Sequence, residues 1–287
     1  QQPYVTEQAR EHLGLAEQQT IEWQSAAKTH RGNVREYNED AYLAHPESGV
    51  WAVADGMGGH HAGDVASREV VAALAKVSFS DNLAGLQAAC RSQLDAVNHA
   101  LFEQGLQRQA QIIGSTVVAM VASGADAAML WAGDSRGYRL RGNELTQVTR
   151  DHSRTNELIE QGILKPEAAE QHPEANVITR AVGVARQLPL DETSFTVATD
   201  DVYLLCSDGL TRYVPEPELH RCLSMPTCNA AAEELMRLAL ATDARDNISI
   251  VVMRAQPADD STTVFNFDVA GDTTDTEDRT LLNLDDN

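Results

Sequence analysis

Four aspartates share one local setting that suits oxygen-ligand chemistry. Asp55 follows the apolar run Val50 to Ala54 and precedes a turn carrying Gly56, Gly58, Gly59 and Gly63. Asp208 follows Leu204, Leu205, Cys206 and Ser207 and precedes Gly209. Asp134 follows Leu130, Trp131, Ala132 and Gly133, and Asp246 precedes the apolar run Ile248 to Met253. Each is expected at the end of an apolar strand, and the glycines allow close backbone approach. Glu39 and Asp40 open another strand after a polar connection. A single strand-end aspartate is often an ordinary turn former; the repetition argues for a shared site. Gathered carboxylates repel, by ~4 kcal/mol for two unit charges about 4 Å apart at an effective dielectric near 20. They therefore either lie apart or hold a cation between them. Oxygen ligands without Cys or His favour Mg²⁺ or Mn²⁺ over Zn²⁺. Two such ions ~3.5–4 Å apart would lower the pKa of a shared water towards neutrality and set it for attack on phosphorus.

Composition narrows the partners. The chain has 287 residues, a formal net charge of −21 and a hydrophobic fraction of 43%. That fraction is ample for a core. So acidic a chain is repelled by nucleic-acid phosphates and anionic lipid, so neither is expected as a partner, while divalent cations are well tolerated. No apolar run approaches the ~20 residues of a membrane span. Gln1 to Gln19 lacks a basic region followed by an apolar core, so no signal peptide is expected. Cys90, Cys206, Cys222 and Cys228 form no C-x-x-C pair. They fit reduced thiols of a cytoplasmic protein better than disulfides or a zinc site.

The elements that must position these carboxylates can be read in order. Residues 1–20 are a polar extension. Strands are predicted at Glu22–His30, Asp40–His45 and Val50–Ala54. Amphipathic helices follow at Val65–Lys76 and Leu83–Gln107, the second near a 3.6-residue period. A β-rich block covers Ser115–Ala122, Ala127–Ala132, Gly137–Leu140 and Leu145–Val148, with Arg141-Gly142-Asn143 as a hairpin turn. Residues 151–183 read as an irregular lid with a helical run at Asn156–Gln161. Strands resume at Thr193–Val197 and Asp201–Cys206, then helices at Glu216–Cys222 and Asn229–Ala241, then the strand Ile248–Met253. Residues 257–287, rich in Asp and Thr, read as a disordered acidic tail. The order suits a layered α+β domain over about residues 21–256, with packed antiparallel sheets covered by helices.

Five motifs in this order resemble a known family: Arg35 with Asn38, Glu39 and Asp40; Asp55-Gly56-Met57-Gly58-Gly59-His60; Gly133-Asp134-Ser135-Arg136; Ser207-Asp208-Gly209-Leu210; and Asp246-Asn247. They look like those of PPM-type metal-dependent serine/threonine protein phosphatases in their compact bacterial form, over about residues 22–255. The resemblance implies an antiparallel β-sandwich flanked by α-helices on both sides, a four-layer α-β-β-α arrangement. It implies two Mn²⁺ or Mg²⁺ ions, with a third, weaker site. Asp55 would bridge the two ions and the Gly56 carbonyl would bind one. Asp208 and Asp246 would complete the other shell, Glu39 and Asp40 would act through bound waters, and Asp134 would belong to the third site. Arg35 would hold the substrate phosphate, and residues 151–183 would be the flap. The implied substrates are phosphoserine and phosphothreonine proteins, opposing a serine/threonine kinase, and a monomer is expected. Animal members carry a histidine straight after the Asp-Gly pair as candidate general acid; Met57 stands there in this chain, and His60, with His61 beside it, is the alternative.

Two rivals remain open at the level of sequence. Cys206 to Arg212 matches the C-x5-R loop of cysteine-dependent phosphatases, but Asp208 would set a negative charge inside a dianion cradle and Cys206 would lie in a buried strand. The other is a catalytically weak or inactive phosphoprotein-binding module on the same fold. Such modules lose metal aspartates, whereas Asp55, Asp208 and Asp246 are all present. In the tail, Thr273, Thr274 and Thr276 among Asp and Glu resemble acidic sites for kinases or phosphothreonine-binding modules, against the plainer reading of a solubilising tail.

Overall fold

The computed structural model describes residues 21–58, 62–80, 82–108, 112–169, 172–175 and 177–258. The polar extension, His60, His61 and all but the first residues of the acidic tail lie outside them. Two antiparallel sheets form the frame. One has the order β1 (Ile21–His30), β11 (Ile248–Pro257), β10 (Val202–Cys206), β7 (Arg136–Arg141), β8 (Glu144–Gln147). The other runs β2 (Asp40–His45), β3 (Val50–Gly58), β5 (Val117–Ser123), β6 (Asp126–Ala132), β9 (Asp191–Thr196), with β4 (Ile113–Ser115) paired to the far end of β3.

Period-two alternation sorts each strand between two cores. In β3, Trp51 and Val53 point towards the other sheet and pack with Met120, Met129, Tyr203, Leu205, Val251 and Met253. The intervening Val50, Ala52 and Ala54 point outward, onto α1 (Ala62–Leu74) and α2 (Leu83–Gln107) through Val70, Leu74, Leu86, Leu94 and Leu101. On the opposite face Leu204, Cys206, Ile250 and Val252 pack against α5 (Glu216–Leu223) and α6 (Cys228–Leu240). Three separate apolar layers therefore hold helices, sheet, sheet and helices together, the α+β sandwich implied by the sequence. Fully burying a Leu, Val or Phe side chain contributes ~1.5–3 kcal/mol, so these layers are the main source of rigidity beneath the site.

Several expectations need correction. The strand through Val50–Ala54 does not stop at Asp55. It runs on to Gly58, because β4 supplies a partner for Gly56, Met57 and Gly58 after β5 has left. The helix expected at Val65–Lys76 starts earlier and ends earlier, at Ala62–Leu74. The final strand extends to Pro257 because β1 pairs with all ten of its residues. A four-residue helix, α4 (Asp208–Thr211), follows β10, too short to leave a periodic signal. Within residues 151–183 the chain forms α3 (Arg154–Glu160), a 3₁₀ turn at Pro166–Ala168, and isolated bridges from Ser153 to Ile178 and from Ser115 to Val182.

Candidate metal centre

Antiparallel register brings the strand ends that carry carboxylates to one end of the sandwich. Asp40 opens β2 directly opposite Asp55 on β3. Cys206, the last residue of β10, faces both Arg136 at the start of β7 and Ile250 near the start of β11. Asp134 and Asp246 occupy the links just outside those ends, and Asp208 opens α4. The backbone then locks them. The Asp55 N–H donates to Thr116 Oγ1 at 2.9 Å, while Thr116 N–H and Ser115 Oγ donate to the Asp55 carbonyl at 2.8 and 3.0 Å. Ser207 Oγ donates to Asp40 Oδ2 at 2.8 Å and accepts the Ser249 N–H at 2.9 Å, tying β2 to β11 across the two sheets. Asn247 Oδ1 accepts the Glu39 N–H at 2.8 Å, and its Nδ2 donates to the carbonyls of Arg31 and Tyr37.

Gly56 sits where nothing larger fits. A Cβ there would lie 2.0 Å from the Gly63 carbonyl oxygen and 2.6 Å from that of Glu39. Its N–H donates to the Glu39 carbonyl at 3.0 Å. Gly63 in turn leaves room for Glu39 Oε1, which a Cβ would approach to 2.6 Å. The N-terminus of α1, the Glu39–Asp40 segment and β3 thus meet at Gly56.

Electrostatics mark the cluster. Burial and the neighbouring Asp208 and Asp246 charges raise Asp40 from 3.8 to about 7. Burial and the charges of Asp208 and Asp151 raise Asp134 to about 7. Asp55 lies well above the usual carboxylate range, from burial and then the charges of Asp40, Asp208, Asp134 and Asp246. Burial raises Asp208 too, although Arg212 pulls it down. One oxygen each of Asp40, Asp64, Asp134 and Asp208 is buried without a hydrogen-bond partner. Orphaned buried carboxylate oxygens are costly, and an all-oxygen set of this kind fits hard divalent cations. Among the described residues no three His, Cys, Asp or Glu side chains close as a finished ligand shell. Arg212 lies across Asp208 and Asp246, and Arg35 Nη2 pairs with Asp246 Oδ1 at 2.9 Å.

A proton balance follows. Asp40 and Asp134, each at about 7, together carry roughly one proton at pH 7. Because both lie above 3.8, the folded chain binds more protons than the unfolded one up to about pH 7, so their contribution to metal-free stability is lost as pH rises through that value. Asp55, raised further still, adds to that count, so binding of Mn²⁺ at pH 7 is expected to expel at least one proton. Calorimetric titration in buffers of different ionisation enthalpy reads that number, and a heat independent of buffer would contradict it.

Of the residues singled out by sequence, the structure gathers Glu39, Asp40, Asp55, Gly56, Asp134, Asp208 and Asp246 at one end of the sandwich. Arg35 stands beside them, held by Asp246 and by the Arg245 carbonyl at 3.3 Å. His60 lies outside the described residues. A cleft of about 380 Å³ opens from the cluster towards residues 151–183, its walls including Asp134, Asp151, Ser153, Asn156, Asp208 and Arg212. The start of this segment is tied to the Asp134 loop by His152. Its N–H donates to the Gly133 carbonyl at 2.8 Å, its Nδ1 accepts the Gly133 N–H at 3.1 Å, and its Nε2 lies 3.0 Å from Asp191 Oδ2.

Sequence reasoning passed over Thr116. It placed Ser207 and Asn247 in the motifs without a role of their own, and weighed Arg212 only as the end of the C-x5-R match. Asp64 was given no role, although one of its oxygens is buried without a hydrogen-bond partner. A small polar residue directly flanking a carboxylate motif, as Ser207 and Asn247 do, was the available signal.

Comparison with known proteins gives concordant results. A family model described as Protein phosphatase 2C matches residues 28–243. Serine/threonine protein phosphatase PstP of Mycobacterium tuberculosis is 36% identical over 234 residues, which are 81% of this chain and 45% of that protein. The chain thus spans about half the length of that relative. PppA, described as a key regulatory component of T6SS in Pseudomonas aeruginosa, superposes with a TM-score of 0.77 at 43% identity, covering 82% of this chain and 99% of the other. The catalytic domain of PstP, solved in complex with two manganese ions, superposes with a TM-score of 0.72 at 37% identity, covering 83% of this chain and 100% of that one.

Proposed function

The chain belongs to the protein phosphatase 2C family, and we propose that it hydrolyses phosphoserine and phosphothreonine in proteins with two Mn²⁺ or Mg²⁺ ions. The carrying observation is the carboxylate cluster at one end of the sandwich, whose buried oxygens without hydrogen-bond partners suit hard cations. Asp55, the Gly56 carbonyl, Asp208 and Asp246 would hold the two ions, with Glu39 and Asp40 around them and Asp134 at a third position. Bound ions supply an activated water and neutralise charge developing on the phosphoryl group. The protein's own groups do the rest. Arg35, half-exposed at the rim, presents a planar fork suited to phosphoryl oxygens. Ser207 and Thr116 fix the positions of Asp40 and Asp55. The sandwich beneath excludes water from the floor, and residues 151–183 form one wall of the cleft where a phosphopeptide would lie. His60 remains the proposed proton donor to the leaving alkoxide. A kinase whose products this enzyme removes is the expected counterpart. The four cysteines, all buried and free, support a reducing, cytoplasmic setting. No helix among the described residues is long and apolar enough to cross a membrane.

The cysteine-dependent alternative fails on geometry. Cys206 is wholly buried in β10, and burial pushes its thiol up to about 12. The deciding experiment is phosphate release from phosphothreonine and phosphoserine peptides. Turnover is expected with Mn²⁺ or Mg²⁺, to vanish with chelator, and to persist within about threefold in Cys206→Ser, since a buried Ser replaces a similar volume. No turnover with either metal would favour the non-catalytic binding module.

A further inference from the structure

Arg212, the arginine that completes the C-x5-R match, is not a phosphate-loop residue. It leaves the C-terminal end of α4 and lays its guanidinium over the metal-centre carboxylates. Nη2 pairs with Asp208 Oδ2, four residues earlier, and Nη1 lies 3.8 Å from Asp246 Oδ2. Burial lowers its affinity for the proton, yet Asp208, Asp246 and Asp134 together raise its pKa above the ordinary arginine value. Asp246 is gripped from both sides, by Arg35 on Oδ1 and Arg212 on Oδ2. The other arginine on this wall is committed elsewhere: Arg136 is bidentate to Asp151 and also bonds Tyr138.

We propose that Arg212 is a resident counter-cation of the centre, which holds Asp208 and Asp246 together in the metal-free protein and must leave Asp208 before a divalent ion can be bound there. The inference rests on the metal-centre assignment made above and adds a competitor to it. A carboxylate oxygen shared with a guanidinium has less charge to give a cation, so every ion taken up at Asp208 also costs that ion pair. Arg212 stays tethered at the cleft wall, so release from Asp208 turns its fork towards the cleft. The consequence is a raised threshold. The centre keeps its shape at low free metal, and fills only when the metal concentration is high enough to displace an internal rival.

Isothermal titration of Mn²⁺ into the full chain, after chelation and desalting, tests this without any turnover. Arg212→Gln is expected to bind Mn²⁺ roughly tenfold more tightly, the scale of one lost charge-assisted bond. Its metal-free form is expected to melt several degrees lower, because Asp208 loses its guanidinium partner and Arg35 alone is left to offset the Asp208–Asp246 repulsion. Arg212→Lys, which keeps the charge but loses the fork, should fall between. Arg245→Gln removes the same charge next to Asp246 from a side chain that pairs with Asp243, not Asp208, and should leave the Mn²⁺ affinity within about twofold. An unchanged or weaker affinity in Arg212→Gln, or equal tightening in Arg245→Gln, overturns the proposal while leaving the metal centre intact. A wild-type chain that takes up no Mn²⁺ overturns the metal-centre assignment itself, and the role of Arg212 with it.

Discussion

Asp55→Asn is expected to lower metal-dependent phosphopeptide hydrolysis by about a thousandfold or more, a barrier increase of ~4 kcal/mol. The same substitution should raise the melting temperature of the metal-free protein. Both signs come from one arrangement. Asp55 faces Asp40 directly across β2 and β3 and feels Asp208, Asp134 and Asp246. As the proposed bridge it would supply charge to both ions, and its loss would weaken their retention. Without metal that charge is a liability, which burial and four like-charged neighbours oppose. The isosteric amide removes the charge and offers a donor to the cluster, where Asp40 Oδ1 has no hydrogen-bond partner. A gain of ~1 kcal/mol would move the midpoint by about 2–4 °C in a domain of this size. Calorimetry in chelator and kcat/KM on a phosphothreonine peptide measure the two effects. Activity within tenfold of wild type would remove Asp55 from the bridge. A fall in metal-free stability would make its carboxylate a structural partner instead.

That trade between stability and activity explains what could be read from the chain. Asp134 and Asp208 were legible because local pattern places them: an apolar run fixes the strand that ends just before each. The layered sheets were legible from the order of strands and helices, and the sandwich from the family resemblance; which of Val50 to Ala54 face the other sheet was not, because the whole run is apolar. What stayed hidden depends on residues far apart in sequence. Ser207 donates to Asp40 across 167 residues, and Thr116 accepts from Asp55 across 61. Nothing in either local window announces that meeting. The continuation of β3 through Asp55 to Gly58 had the same cause, because its partner there, β4, starts at Ile113. Arg212 was weighed only as the last residue of the C-x5-R match, which Asp208 and the buried strand at Cys206 argued against. Its spacing from Cys206 matched a loop motif, but α4 turns the side chain back by four residues onto Asp208.

Gly209→Ala is expected to damage the centre from behind, without touching a proposed ligand. Gly209 lies in α4 between Asp208 and the chain of Asn247. A Cβ at this position would fall 1.9 Å from the Asn247 carbonyl oxygen and 3.0 Å from its carbon, with Ile248 Cγ1 at 3.5 Å. The first two atoms are backbone, so no rotamer change relieves the overlap. Either α4 or the Asp246–Asn247 segment has to shift. A shift of α4 carries Asp208 away from Asp246. A shift of the other segment loosens Asn247, whose Oδ1 holds the Glu39 N–H and whose Nδ2 holds the carbonyls of Arg31 and Tyr37. Overpacking of this kind costs ~1–3 kcal/mol, and disturbed support of a metal shell typically costs about 10–100-fold in affinity or activity. Gly124→Ala separates these two contributions. Gly124 has φ +60° and nothing within 4 Å of a new Cβ, so it bears only the backbone strain of about 1–2 kcal/mol. Both variants should therefore melt earlier than wild type, but only Gly209→Ala should lose Mn²⁺ affinity and turnover. Equal metal affinity in the two would mean that α4 and the Asp246 segment yield without moving their carboxylates, and that the close approach at Gly209 serves packing alone.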